Sequence, residues 1–127
     1  MKKQKIEISD YCRLQIQGVK DTQDLLNGKW KKVIVVALFY NPKIRFMDLV
    51  RHIEDIAPKV LSKELKDLEA NQLVKRTVLD TMPITVEYEL TEYGKSLNKI
   101  VTEMAKWGIY YREAILGRKN FYSVSEN

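Results

Sequence analysis

Between Pro58 and Ala70 the apolar residues Leu61, Leu65 and Leu68 recur at the spacing of one helix face. At about 100° per residue these three positions fall within roughly 60° of one another. Lys59, Ser62, Lys63 and Lys66 fall on the opposite side, at roughly 100–200° from Leu61, and Glu64, Asp67 and Glu69 occupy the flanks. The segment is predicted to be a helix with a buried leucine side and an outward side carrying three ammonium groups and a hydroxyl. Upstream, Phe46, Leu49, Val50 and Ile53 keep helical spacing across Arg45–Ile53, and a short break, Glu54–Ala57, separates the two helices. This is the helix-turn-helix pattern, whose second helix enters the major groove while the first holds the backbone. Downstream the period changes from helical to alternating. Leu73–Leu79 and Thr85–Leu90 read as strands, with Val86, Tyr88 and Leu90 alternating against Thr85, Glu87 and Glu89. Asp80-Thr81-Met82-Pro83 supplies the turn, since Pro83 has no backbone N–H to give to a ladder. A helix-turn-helix with such a hairpin after it is a winged helix.

The rest of the chain reads as helix. Asp21–Leu26 is predicted to be a short helix closed by Asn27-Gly28, because Asn and Gly accept a left-handed C-cap. Trp30, Val33, Ile34, Ala37 and Leu38 mark a core helix that ends before Asn41-Pro42. Thr91 is a natural N-cap for the last helix, with Glu92 near its positive dipole end. Tyr93, Leu97, Ile100, Val101, Met104, Trp107, Gly108 and Tyr111 then hold helical spacing for about five turns. The small core is largely supplied upstream, so this stripe is predicted to pack on a second copy of the chain. Leu97, Ile100, Val101, Met104, Trp107 and Tyr111 are therefore the expected dimer interface; a helix lying across one monomer is the plainer alternative. The expected fold class is mainly α with a small β-hairpin (α+β), a winged helix-turn-helix with N- and C-terminal dimerisation helices.

Composition narrows this picture. The 127 residues read as one domain, with residues 1–9 and 118–127 expected to be frayed. Five glycines and three prolines leave no room for a long flexible linker. No apolar run approaches the ~20 residues of a membrane span. Met1-Lys2-Lys3-Gln4-Lys5 is basic, but the residues after it are too polar for a secretory signal. A single cysteine excludes an internal disulfide and fits a reducing cytoplasm. The net charge of +5 suits nucleic acid, acidic proteins or plain solubility, so its placement matters more than its size. Lys59, Lys63, Lys66 and Arg45 would share one surface, and Lys29, Lys31 and Lys32 form a second cluster at the start of the preceding helix, some of it within reach of the DNA backbone from the side. A solvated helix face accounts for any one of these lysines; the stripe as a whole, backed by leucines and trailed by a wing, points to DNA.

Certain residues then resemble a known family. Gly28-Lys29-Trp30, Arg45-Phe46 with Leu49, Val60-Leu61-Ser62 with Leu65-Lys66 and Leu68-Glu69, Pro83 with Val86-Glu87-Tyr88, Leu90-Thr91 with Gly94, and Trp107 together resemble the HxlR-type helix-turn-helix family of bacterial transcription regulators, which is related in fold to the MarR group. The resemblance covers roughly residues 19–117. It implies a dimeric regulator whose recognition helix maps onto Pro58–Lys66, whose wing maps onto Arg76–Val86, and whose dimerising helices lie before Asn27 and after Thr91. It also implies operator DNA as partner, and regulation that often responds to reactive compounds.

Three departures qualify the carry-over. The position at which many members hold a sensing cysteine is Gln17 here, and Cys12 lies five residues earlier. Cys12, near Asp10 and Arg13, is the one candidate for redox or electrophile sensing, against a buried or idle thiol. Ala57 stands where a serine often caps the recognition helix; Asp55 or water would have to serve, with Pro58 suited to the first turn. The wing tip has Asp80 and only Lys75 and Arg76 nearby, so it should attract phosphate less than the helix does.

The DNA-contacting set is accordingly Arg45, Pro58, Lys59, Ser62, Lys63, Lys66 and Arg76. Lys59, Ser62 and Lys63 are assigned to base edges or adjacent phosphates, and Lys66, Arg45 and Arg76 to the backbone. Catalysis is not expected: His52 is the single histidine, with no cysteine or second histidine at metal spacing, and neither Ser62 nor Ser96 has an identifiable base. No metal or cofactor is expected. Trp30, Trp107, Tyr110 and Tyr111 would serve either as dimer core or as the lining for a small aromatic effector. The expected function is a cytoplasmic, homodimeric, sequence-specific DNA-binding regulator. The alternatives are a winged-helix module that binds protein, suggested by the acidic flank of Glu64, Asp67 and Glu69 together with the charge-poor wing, and a redox-sensing regulator using Cys12.

Overall fold

The computed structural model describes residues 9–117. Helix α1, Asp10–Leu25, opens where the Ser9 hydroxyl accepts a hydrogen bond from the Cys12 amide at 3.1 Å. It is much longer than the expected Asp21–Leu26, because that cap starts the helix far upstream and its middle carries no helix breaker stronger than Gly18. The expected frayed ends lie outside the described residues, save for Ser9. Gly28, at φ +83°, takes the left-handed turn into α2, Lys31–Tyr40. Ile34, Val35, Ala37 and Leu38 are buried, so α2 runs through the centre of the domain.

A two-residue strand, β1 (Ile44–Arg45), leads into α3, Phe46–His52. After a turn through Asp55, at φ 66°, comes α4, Pro58–Ala70, with the bounds that its periodicity predicts. Leu61, Leu65 and Leu68 are all at most 1 % exposed. Burying a leucine side chain contributes about 1.5–3 kcal/mol, so this stripe anchors the helix to the core. Strands β2 (Val74–Leu79) and β3 (Thr85–Leu90) pair antiparallel from Val74–Leu90 to Leu79–Thr85. The hairpin is not alone: β1 pairs with β3 through Ile44–Tyr88 and Arg45–Glu87, giving the order β1-β3-β2. Two residues are too short for alternation to reveal a strand. The Met82–Pro83 peptide in the turn is cis.

Thr91 caps α5, Glu92–Ser96, by accepting from the Gly94 amide at 3.1 Å. The expected single last helix is in fact interrupted at Leu97, where α5 ends and α6, Asn98–Ala114, begins. Leu97 keeps helical torsions, so the apolar periodicity runs through the break unaltered. The central helix α2 thus packs against α4, α6 and β3. Two members of the expected dimer stripe are reassigned by this geometry. Leu97 and Val101, 8 % and 6 % exposed, belong to the core of the single chain, because α5 and the first turn of α6 fold back over α2 and the sheet.

Gly94 sits where α5 crosses the loop that precedes β2. A Cβ there would collide with the Leu73 carbonyl oxygen and press on Leu90 Cδ2. The same carbonyl accepts from the Thr91 amide at 3.1 Å, so it is not free to move away. Gly94→Ala should therefore lower stability by about 3 kcal/mol, the upper part of the overpacking range. Urea denaturation would check this; a midpoint equal to that of wild type would contradict it.

Candidate nucleic-acid interface

The outward side of α4 is the most basic helical surface among the described residues. Lys59, Lys63 and Lys66 are exposed, Ser62 is half-buried, and Pro58 at the first turn is exposed. Pro58 needs no partner for a missing N–H, which suits a helix whose N-cap, Ala57, makes no side-chain hydrogen bond; Asp55 does not supply one. The start of this helix thus remains open to an anion, with its unpaired amides and positive dipole end facing out. Arg45 lies exposed at the end of β1, and Arg76 lies exposed on β2 in register with Tyr88. Arg45 and Ser62 line one shallow pocket with Phe46, Met47, Ile84 and Val86, so the turn end of β3, α3 and α4 meet beside the basic face. None of Lys59, Lys63, Lys66, Arg45 and Arg76 lies in an ion pair among the described residues.

Of the second lysine cluster, Lys31 and Lys32 are withdrawn from the surface. Lys31 is 5 % exposed, and its ammonium is held inside the domain by three partners. Nζ donates to Glu64 Oε2 at 2.7 Å and to Asn27 Oδ1 at 3.1 Å, and lies 3.3 Å from Asp67 Oδ2. Lys32 is half-buried and donates to the Leu26 carbonyl at 2.7 Å. Only Lys29 remains exposed, with its ammonium over the Trp30 ring. The sequence does not reveal this arrangement because Lys31 and Glu64 are 33 residues apart. A lysine preceding an apolar helix looks the same whether its long stem ends in water or at a buried carboxylate.

Burial pulls the Lys31 ammonium toward neutrality, but its hydrogen bonds and charge interactions with Glu64 and Asp67 outweigh that and leave its pKa above the ordinary lysine value. A folded pKa above the unfolded one gives stability that is fully present below the unfolded value, about 10.4, and is lost as pH rises through the folded value. The stability gap between wild type and Lys31→Met should accordingly be constant from neutral pH to about 9 and narrow beyond about 10.4. Denaturant midpoints across this range check it; a gap that widens with alkali would contradict it.

The acidic flank also changes character. Glu64 is mostly covered, at 13 % side-chain exposure, and both it and Asp67 face Lys31, leaving Glu69 as the only carboxylate of α4 without such a partner.

The terminal helices present a different surface. No residue of α1 is buried, and Tyr11, Leu14, Ile16 and Val19 are exposed along it. On α6, Ile100, Met104, Trp107 and Tyr111 are exposed, with the Trp107 and Tyr111 rings stacked at 5.1 Å. Trp30 is instead partly buried against the hydrophobic core. Cys12 is a half-buried free thiol, in a groove between α1 and α6 with Ile16, Val19 and Ile100. His52 is exposed and lies 3.3 Å from the Asn41 amide nitrogen. No three metal-binding side chains cluster among the described residues, and no described helix is long and apolar enough to cross a membrane.

This architecture has known relatives. The chain is 41 % identical over 96 residues to the HTH-type transcriptional regulator YkvN of Bacillus subtilis, covering 76 % of this chain and 80 % of that protein. The redox regulator HypR, in its reduced form, superposes with a TM-score of 0.72 at 35 % identity, over 80 % of this chain and 99 % of that one. The reduced form of the regulator YodB from B. subtilis superposes with a TM-score of 0.66 at 30 % identity, over 80 % and 96 % of the two chains. The model of HxlR-like helix-turn-helix proteins matches residues 25–115, from the end of α1 to the end of α6. With a leucine-backed basic helix, a wing and these relatives, the chain belongs to the HxlR-like helix-turn-helix family of DNA-binding transcription regulators, a group with the MarR-like winged-helix fold.

Proposed function

We propose that the protein acts as a homodimer on operator DNA, each subunit laying α4 in a major groove with β2, β3 and their turn as the wing. The observation that carries this is the free state of Lys59, Lys63 and Lys66: all three are exposed and outside any ion pair among the described residues, on a helix whose reverse side is fixed in the core. Lys59, Ser62 and Lys63 then meet base edges or nearby phosphates. Pro58 opens the helix toward the backbone, while Lys66, Arg45 and Arg76 grip it. Recognition of this kind takes two half-sites about one turn (~34 Å), or a multiple, apart. The exposed Ile100, Met104, Trp107 and Tyr111 supply the contact between subunits, joined by the apolar residues of α1.

Six to ten neutralised phosphates would reduce affinity by about 10³–10⁵ between 50 and 200 mM salt. Gel shifts with fragments of the protein's own upstream region, titrated with salt, test the reading. A folded dimer that shifts no fragment at low salt would instead support the protein-binding module. Two of the three carboxylates that prompted that alternative face Lys31, which leaves it Glu69, the half-exposed Asp67 and the charge-poor wing.

A second reading adds a thiol response to the same DNA function. It rests on the groove position of the free Cys12 and on the relatives HypR and YodB: HypR is named a redox regulator in reduced and oxidised forms, and YodB is known in a diamide-treated form. Diamide should then weaken DNA binding by wild type and leave Cys12→Ser unaffected; equal affinity before and after treatment removes the response. The fold and its family of regulators give no reason to expect catalysis, and a cytoplasmic location accords with the proposed role on DNA.

A further inference from the structure

We infer that Lys31 is a positioning residue for DNA binding: it holds Glu64 and Asp67 toward α2, away from Lys63, and thereby keeps the ammonium of Lys63 available to phosphate. The inference rests on the DNA-binding reading above and concerns a residue that does not itself touch DNA.

Helix α4 carries three lysines and three carboxylates, Lys59, Lys63 and Lys66 against Glu64, Asp67 and Glu69. Taken alone it has no net charge with which to approach a polyanion. Asp67 stands four positions after Lys63, a spacing at which opposite charges meet on a helix surface. Yet the two form no ion pair; Asp67 Oδ2 lies 3.3 Å from Lys31 Nζ instead. Glu64 Oε2 is bound at 2.7 Å to the same ammonium, which Asn27 Oδ1 steadies from the preceding loop at 3.1 Å. The lysine is almost wholly covered, so its one positive charge is shared by the two carboxylates without adding an exposed ammonium, while Asp67 itself stays 49 % exposed. With Lys31 counted, four ammonium groups outnumber the three carboxylates by one, and the lysines of the outward side stay unpaired among the described residues.

Without Lys31, Asp67 is free to turn toward Lys63 and to take up its charge. The protein would then release about one fewer counterion per subunit on binding. That lowers the salt slope by about 0.9 per subunit and the affinity at 0.15 M salt by roughly fivefold per subunit.

The probe is a mixed-sequence 40-base-pair duplex, titrated by fluorescence anisotropy at several salt concentrations. Lys31→Met should show the reduced slope and affinity, and Lys31→Met with Asp67→Asn should recover both. Asp67→Asn alone should leave the slope unchanged, since Lys31 already holds that carboxylate. Should Lys31→Met fail to fold with Glu64 stranded, the same comparison is made on a Glu64→Gln background, where no covered carboxylate lacks a partner. An unchanged slope on removing Lys31, or no recovery on removing Asp67 as well, would overturn the inference. Absence of binding by wild type would overturn the DNA reading instead, so the two failures are distinguishable.

Discussion

Lys63→Glu is expected to weaken operator binding by at least about thirtyfold while leaving the melting temperature and the dimer unchanged. Losing a base-edge contact costs about 1–3 kcal/mol. A symmetric dimer loses it twice, about 2–6 kcal/mol in all, and the new carboxylate adds repulsion from phosphate. The fold should tolerate the change because Lys63 is exposed and outside any ion pair among the described residues, on the side of α4 opposite Leu61, Leu65 and Leu68. Lys59→Glu should behave similarly. Glu69→Lys, on the carboxylate that Lys31 does not reach, should if anything strengthen binding. Anisotropy titrations together with thermal denaturation check these outcomes, and wild-type affinity in Lys63→Glu would remove α4 from the interface.

The second large effect concerns the subunit contact. Placing Glu at both Met104 and Trp107 puts two like charges on a surface that is at present apolar, with Met104 49 % and Trp107 63 % exposed in the single chain. A dimeric interface there would have to bury those carboxylates unpaired, at a cost of several kcal/mol each. The double variant should sediment as a folded monomer. Its DNA affinity should fall by about 10²–10⁴, because the second half-site is no longer presented at high effective concentration. A variant that stays dimeric would place the contact elsewhere, with the exposed residues of α1 as the next candidates.

Legibility in the sequence depends on how local each determinant is. The bounds of α4 are readable because Pro58 and three leucines at 3.6-residue spacing signal the same helix. Strand β3 is readable because its alternation is complete from Thr85 to Leu90. The Thr91 cap is readable for the same reason, since its bond to the Gly94 amide spans three residues. The features that escape depend on distant partners. The assignment of Leu97 and Val101 to the core rather than the surface is set by where α5 turns back, and periodicity alone does not distinguish the two. Strand β1 exists only because β3 lies beside it. The start of α1 escapes because its apolar residues face outward and leave no core stripe to read. In the candidate interface, Lys59, Lys63 and Lys66 are outward residues as their spacing predicts, whereas Lys31, grouped by sequence with Lys29 and Lys32 in a second cluster, is covered. Its position is decided by Glu64 and Asp67, which reach it only after the chain has folded.

The central claim is that α4 lies in the major groove at two symmetric places on duplex DNA. Dimethyl sulfate footprinting tests it most directly, since the reagent methylates guanine N7 in the major groove and adenine N3 in the minor groove. On a bound fragment from the upstream region, two patches of guanine protection should appear on one face of the duplex, their centres one helical turn or a whole number of turns apart. Both patches should vanish with Lys63→Glu. Unprotected guanines throughout a shifted fragment, or protection limited to adenines, would contradict the account.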